Sequence, residues 1–564
     1  MSRNITRRRA LGGLGGSLLL PLAGEPARAQ AAAAGRHFRH GIASGDPDHE
    51  SLILWTRISG TRAAIQVDWQ LALDRDFTQV LSRGSLTADA GHDHAVKVLV
   101  GGLPAGGVFY FRFFCGDETS PVGRTRTLPL GEVPEIGLAV VSCSNYPFGY
   151  FNAYEAIAGD ERVQWVLHLG DYLYEYGPDG YGGETGRLLG REHQPPREIL
   201  SLADYRERHA QYKADPQSQA MHAAHPLLAV WDDHESANNP WTGGAQNHQP
   251  ASEGDWTARR DASLRAWYEW MPVREPPPGH SRSNYWRHWR FGSLASLVSL
   301  ETRHAGRVRQ IAYDEHRERL GDRESAQRFL AEVVGAEGRR MLSPAMESFL
   351  AGAMSESLQA RRPWRLLANQ IPMARTLHPP LPAAAVEELA ASLPAAAATR
   401  LRQLARMGEL ALPLYLDPWD GYPWARERLY RLCSERGARD LLVLTGDSHS
   451  FWLNRLHDDS GGAMGVELGT TGVTSPADFS DLGARGAAFM DAQLAAGNPE
   501  VLWTEGRTHG YLRLLLRRRA ATADYVGVST IASRDYDTRL LRRARIRTAP
   551  RRLELEPEVP ARGA

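Results

Sequence analysis

Two patterns of apolar and polar positions divide this chain. From about residue 37 to 130, short runs such as 51–57 and 108–113 place apolar side chains at strand-like spacing, and Gly, Pro and Asp clusters split them. Strands of this length broken at regular intervals predict an all-β, immunoglobulin-like or fibronectin-like sandwich. Residues 131–134 read as a linker. From residue 135 the pattern changes: apolar runs at 137–141, 163–169, 227–230 and 441–444 alternate with amphipathic stretches at 259–270, 325–334 and 344–353. Strand runs that are apolar throughout, interleaved with helices, predict an α/β layered domain whose sheets are covered on both faces. This domain is expected over 135–545, followed by a polar tail at 546–564. Two stretches read as insertions: the Gly-, Pro- and charge-rich 177–198, expected to border the site, and the Ala- and Leu-rich 377–412, expected to be helical.

The chain has 564 residues, 42% of them hydrophobic, which suits more than one folded domain. Basic and acidic residues balance at 66 each, which argues against a specific nucleic-acid partner. The first residues read differently from the rest. Arg7-Arg8-Arg9 precede a weakly apolar, Gly-rich stretch that ends in Ala27-Arg28-Ala29. Basic start, short apolar core and small-residue exit predict a secretory signal over 1–29, and the paired arginines make it a twin-arginine signal. The apolar stretch is too short to span a bilayer, which needs ~20 apolar residues. An exported, periplasmic or secreted, monomeric protein is expected, delivered by the twin-arginine machinery. Of the three cysteines, Cys115 and Cys433 sit in strand and helix patterns and read as core residues, with a bridge between them left open.

Candidate chemistry lies at the ends of the apolar runs. These places carry Cys143-Ser144-Asn145, Asp171 with Tyr174, Asp232-Asp233-His234-Glu235, and Asp447 with His449. In α/β sheets, chemistry collects at the carboxyl ends of strands. Anionic and imidazole groups brought there from several strands suit a two-metal hydrolase acting on phosphoesters. Asp171, behind Gly170, is the natural bridging ligand. A Tyr174 phenolate and a Cys143 thiolate favour Fe3+, which His449 completes. The carboxylates Asp233 and Asp447 favour a hard second ion such as Ca2+. His234 is the candidate proton donor to the leaving group, oriented by Glu235 or Asp232. Asn145 and Asn369 are candidate phosphate or second-metal contacts. A non-enzymatic binding protein with a degenerate second domain is the competing class, and the intact ligand set weighs against it.

In this order, the clusters resemble the PhoD-type alkaline phosphatases. The resemblance begins at Phe38-Arg39-His40-Gly41-Ile42-Ala43-Ser44-Gly45-Asp46-Pro47 and continues through Gly123-Arg124-Thr125-Arg126-Thr127. It then runs through the clusters above and Asn369-Gln370, to Gly446-Asp447-Ser448-His449 and His509-Gly510-Tyr511. It implies a calcineurin-like, four-layer metallophosphatase-type mixed β-sandwich flanked by helices. It also implies iron held by Cys143, Asp171, Tyr174 and His449, and one or two calcium ions held by Asp171, Asp233 and Asp447. In-line attack by a metal-bound hydroxide on a phosphomonoester or phosphodiester is the implied reaction, with a phospholipase D-like action on lipid head groups as the alternative. Arg303 is a candidate substrate contact, within Glu301-Thr302-Arg303 where the family more often has Asp-Thr-Arg.

Overall fold

The computed structural model describes residues 36–556. The expected signal segment 1–29 and residues 557–564 lie outside the described residues. Two large sheets face each other. The first has ten strands, in the order Arg552–Leu555, Thr538–Ala549, Ala520–Val528, Gly510–Arg517, Glu135–Val141, Trp165–His168, Leu227–Ala229, Ile42–Gly45, Leu52–Arg57 and Ala95–Val100. The second has seven: His288–Phe291, Ala295–Ser299, Trp364–Ala368, Leu441–Thr445, Ala463–Gly469, Phe451–His457 and Val501–Glu505. The middle of each is parallel, so its strands end at a common edge.

The apolar runs are continuous because both faces of these strands are covered. In Leu441–Thr445, Leu442 and Leu444 enter the core between the two sheets, while Leu441 and Val443 enter a second core beneath helices Pro344–Gln359 and Pro423–Ser434. Trp364–Ala368 repeats the division, with Leu366 and Ala368 on one side and Leu367 on the other. Successive strand side chains point to opposite faces, so a strand in the middle of a layered structure needs apolar residues at every position. Tyr205, Tyr212, Leu264 and Trp267 of helices Leu202–Ala214 and Trp256–Trp270 cover the outer face of the ten-stranded sheet. The result is four layers, helix, sheet, sheet, helix.

The N-terminal β region is a sandwich with one shared sheet. Val67, Leu71, Phe109, Phe111 and Phe113 pack against Leu52, Leu54, Val96 and Val98. The strands carrying the second set belong to the ten-stranded sheet, joined to it where Gly45 pairs with Leu227. Residues 546–556, expected to begin a polar tail, instead carry the end of Thr538–Ala549 and the edge strand Arg552–Leu555 that pairs with it. There Ala544 and Ile546 are buried while Arg543, Arg545 and Arg547 face outward; the run of arginines hides a period of two. All three cysteines are free and buried, so Cys115 and Cys433 are not bridged. Insertion 377–412 contains helices Ala383–Ala390 and Ala395–Glu409, which pack against Gly483–Gly497.

Candidate metal centre

The loops after Glu135–Val141, Trp165–His168, Leu227–Ala229 and Leu441–Thr445 converge between the two sheets. Four of the side chains they carry, Cys143, Asp171, Asp447 and His449, sit on residues with φ of 60°, 54°, 62° and 53°. A left-handed non-glycine residue costs ~1–3 kcal/mol and persists where the surroundings enforce it, as at functional sites. Backbone bonds between loops do so: Cys143 N–H donates to Gly170 O (3.2 Å) and Ser144 N–H to Asp171 O (2.9 Å). Gly170, at φ 104°, permits close approach of the Asp232 loop as well, since a Cβ there would lie 2.3 Å from Asp232 N.

Ligand atoms of Cys143, Asp171 and His449 all lie within 4.8 Å of one another. Tyr174 joins them: its hydroxyl donates to Asp171 Oδ2 (3.1 Å), lies 3.4 Å from His449 Nε2, and accepts from Ser475 Oγ (2.7 Å). A second set, Asp232, Asp233 and Asp447, meets the same limit, as does Asp171 with Asp233 and His234. Asp171 therefore stands between a Cys/Tyr/His side and an all-carboxylate side. Cys143, Asp171, Tyr174 and Asp233 are buried, whereas Asp447 and His449 are partly exposed and mark the mouth. Tyr181 of insertion 177–198 lies over this region, its ring 6.2 Å from that of Tyr174.

Burial, then the charge of Asp233, pushes the Asp171 carboxyl well above the usual range. Burial and Asp232 do the same to Asp447, and burial and Asp171 raise both the Cys143 thiol and the Tyr174 phenol. Burial lowers His449 to about 4. A cluster of acids that repel one another, beside a neutral imidazole, is the donor set of a cation site, because a bound cation reverses each of these tendencies. The residues fit two ions of different character: one with thiolate, phenolate and imidazole donors, the other with oxygen donors alone.

Several side chains do work that the sequence did not reveal. Arg303, expected to touch substrate, is fully buried. It bonds both oxygens of Asp232 (2.5 and 3.0 Å), Asp417 Oδ2 (2.7 Å) and Asp447 Oδ1 (3.4 Å). It is a counterion within the acidic half of the site. Glu301 supports it by accepting backbone N–H bonds from Arg303, His304 and Ala305, and the indole N–H of Trp231. Asn369, expected near the phosphate, donates to Ile371 O and accepts from Trp419 Nε1, so both ends of its amide are engaged within the protein. Asn145 differs: both side-chain polar atoms are buried with no partner among the described residues. An orphaned amide two residues from Cys143 has its bonding capacity free for a ligand.

His234 is oriented by Glu175, which lies 2.7 Å from its Nδ1, and its ring stacks on Tyr174 at 4.1 Å. Glu235 and Asp232, expected to do this, act elsewhere. Glu235 accepts the N–H groups of Asp171, Tyr172 and Asp232 and so ties two ligand loops together. Glu175 follows Tyr174 directly, and nothing in its local pattern marks its role.

A family described as PhoD-like phosphatase matches residues 138–525, and its N-terminal domain family matches 24–129. Alkaline phosphatase D of Bacillus subtilis (strain 168) is 33% identical over 504 residues, covering 86% of this chain and 77% of the relative. A solved structure titled "Structure of PhoD" superposes with a TM-score of 0.74 at 30% identity, covering 94% of each chain. These relatives do not favour the phospholipase D-like alternative. With two thirds of its length matched by the catalytic family alone, the chain belongs to the PhoD-like phosphatases, hydrolases of phosphoric esters.

Proposed function

We propose that this phosphoester hydrolase works with Fe3+ held by Cys143, Asp171, Tyr174 and His449, and with calcium held by Asp171, Asp233 and Asp447. The supporting observation is the asymmetry of the donor set about Asp171. Thiolate and phenolate suit a strongly acidic ion, and a carboxylate set suits a hard one. Bound ions would supply the charge that screens phosphoryl oxygens and acidifies water. The chain's own groups do the rest. Asn145 offers an amide to a phosphoryl oxygen. His234, its Nδ1 fixed by Glu175 and its Nε2 3.9 Å from Asp233, carries the proton given to the departing alkoxide. Arg303 keeps Asp232 and Asp447 in place without touching substrate.

The test is turnover of p-nitrophenyl phosphate and bis-p-nitrophenyl phosphate by purified protein, with and without chelator and with elemental analysis. Activity is expected to vanish on chelation and to return with iron and calcium. Unchanged turnover in a protein shown to be free of metal ends the proposal.

The same reading includes export as a monomer through the twin-arginine route, supported by Arg7-Arg8-Arg9 and Ala27-Arg28-Ala29. Among the described residues no helix is long and apolar enough to cross a membrane. Cell fractionation with and without a working twin-arginine pathway checks the route, and light scattering checks the monomer.

A further inference from the structure

Beside the acidic half of the centre is a cleft of about 830 Å³. Its walls are the hairpin of strands Pro240–Trp241 and Gly244–Ala245, residues 309–315 and residues 414–417. Its inner end is bonded to the metal cluster. Asn239 N–H donates to Asp233 Oδ2 (2.9 Å), and Asp417 holds the Arg303 guanidinium that reaches Asp447. An alcohol leaving phosphorus on the carboxylate side has this cleft next to it.

The lining is that of a subsite for a ring. Trp241, Tyr313 and Tyr415 present aromatic surface, backed by the buried Leu414 and Leu416. Tyr415 is 37% exposed. Trp241 is seated on glycine: a Cβ on Gly244 would lie 2.5 Å from the indole. The Arg309 guanidinium stands 5.8 Å from the indole centroid. Two polar groups in the lining lack a partner among the described residues, Trp256 Nε1 and Gln310 Oε1. Gln310 donates through Nε2 to Asn239 O (3.1 Å), while its Oε1 is buried and unpaired among the described residues. Aromatic walls pack against a flat apolar face, and a buried amide oxygen without a donor suits a ligand hydroxyl.

The geometry points to this cleft as the leaving-group subsite, selecting phosphoesters of ring-bearing alcohols, aryl or sugar, with Trp241 and Tyr415 as its determinants. This rests on the phosphoester reading above.

Steady-state kinetics of the metal-loaded protein on benzyl phosphate and ethyl phosphate test it, because these leaving alcohols are similar in basicity and differ in the ring. The wild type is expected to prefer the benzyl ester in kcat/KM. Trp241→Ala lowers the benzyl-to-ethyl ratio about tenfold, which corresponds to ~1.4 kcal/mol; Trp241→Phe retains most of it. Tyr415→Ala lowers the ratio independently and serves if Trp241→Ala does not fold. Glucose 6-phosphate, added to the series, distinguishes a sugar ring from an aryl ring. A ratio equal in the wild type and both alanine variants overturns the subsite and leaves the phosphoester reading standing. A wild type that turns over none of the three esters ends both.

Discussion

His234 Nδ1 and Glu175 Oε2 meet at 2.7 Å, with both side chains inside the protein. Glu175 is fixed in turn by Asn238 N–H (2.7 Å) and Asn247 Nδ2 (2.9 Å). Without metal, burial works against charge on His234, yet Asp233, Glu175 and Asp171 together hold its proton well above the usual imidazole range, and Glu175 is the one of the three outside the ligand set. Glu175→Gln removes one of these charges while keeping the shape. His234 then releases its proton at lower pH, so the alkaline limb of the kcat profile moves toward neutrality. With the acid less available, kcat falls by about 100-fold and KM changes little. An alkaline limb that stays in place would show that His234 is not the acid.

Arg303 sits among Asp232, Asp417 and Asp447 with no exposed surface. Removing one partner of a buried ion pair costs about 3–5 kcal/mol, because the other charge is left uncompensated. Arg303→Met should therefore lower the stability of the chelated protein by about that amount, read from urea unfolding. Arg303→Lys recovers part of the loss, since an ammonium cannot pair with both oxygens of Asp232 as the guanidinium does. A loss under ~1 kcal/mol would place Arg303 among surface pairs, against its geometry.

Strand-end position made much of the site legible in the sequence. Parallel strands end at one edge, so the ten-stranded sheet brings together Cys143, Asp171 and Asp233, which follow its apolar runs, while Asp447 follows a strand of the facing seven-stranded sheet. What happens within the loops depends on side-chain direction, which local pattern does not encode. Asp232 gives both oxygens to Arg303, while Asp233 also lies beside Asp171 and His234, although the two are adjacent in the chain. Asn369 and Asn145 look equivalent in sequence, yet Trp419, fifty positions downstream of Asn369, decides that one is engaged and the other free. The pairing of Gly45 with Leu227 likewise joins two regions whose own patterns predict separate sheets.

The two halves of the centre predict different losses. Cys143 belongs to the thiolate side and Asp171 to both. Cys143→Ala is expected to lose iron and keep calcium, whereas Asp171→Asn loses both and lowers kcat by about 100-fold or more. Elemental analysis after desalting checks this. Full iron occupancy in the Cys143 variant would contradict the assignment.

Metal removal should also appear in stability, with a definite dependence on pH. Asp171 and Asp447 are held well above the ordinary carboxyl range by burial and by neighbouring carboxylates. An unfolded chain releases these protons near pH ~4, while the folded apoprotein retains them to higher pH. The folded state thus binds more protons, so apoprotein stability falls as pH rises from about 4 toward neutrality. Bound cations reverse the sign, since they require the same carboxylates ionised. The difference in Tm between metal-loaded and chelated protein should therefore grow from pH ~5 to pH ~8. Calorimetry at both values measures it. A difference that is flat, or that shrinks with pH, would mean that cations are not what compensates Asp171 and Asp447.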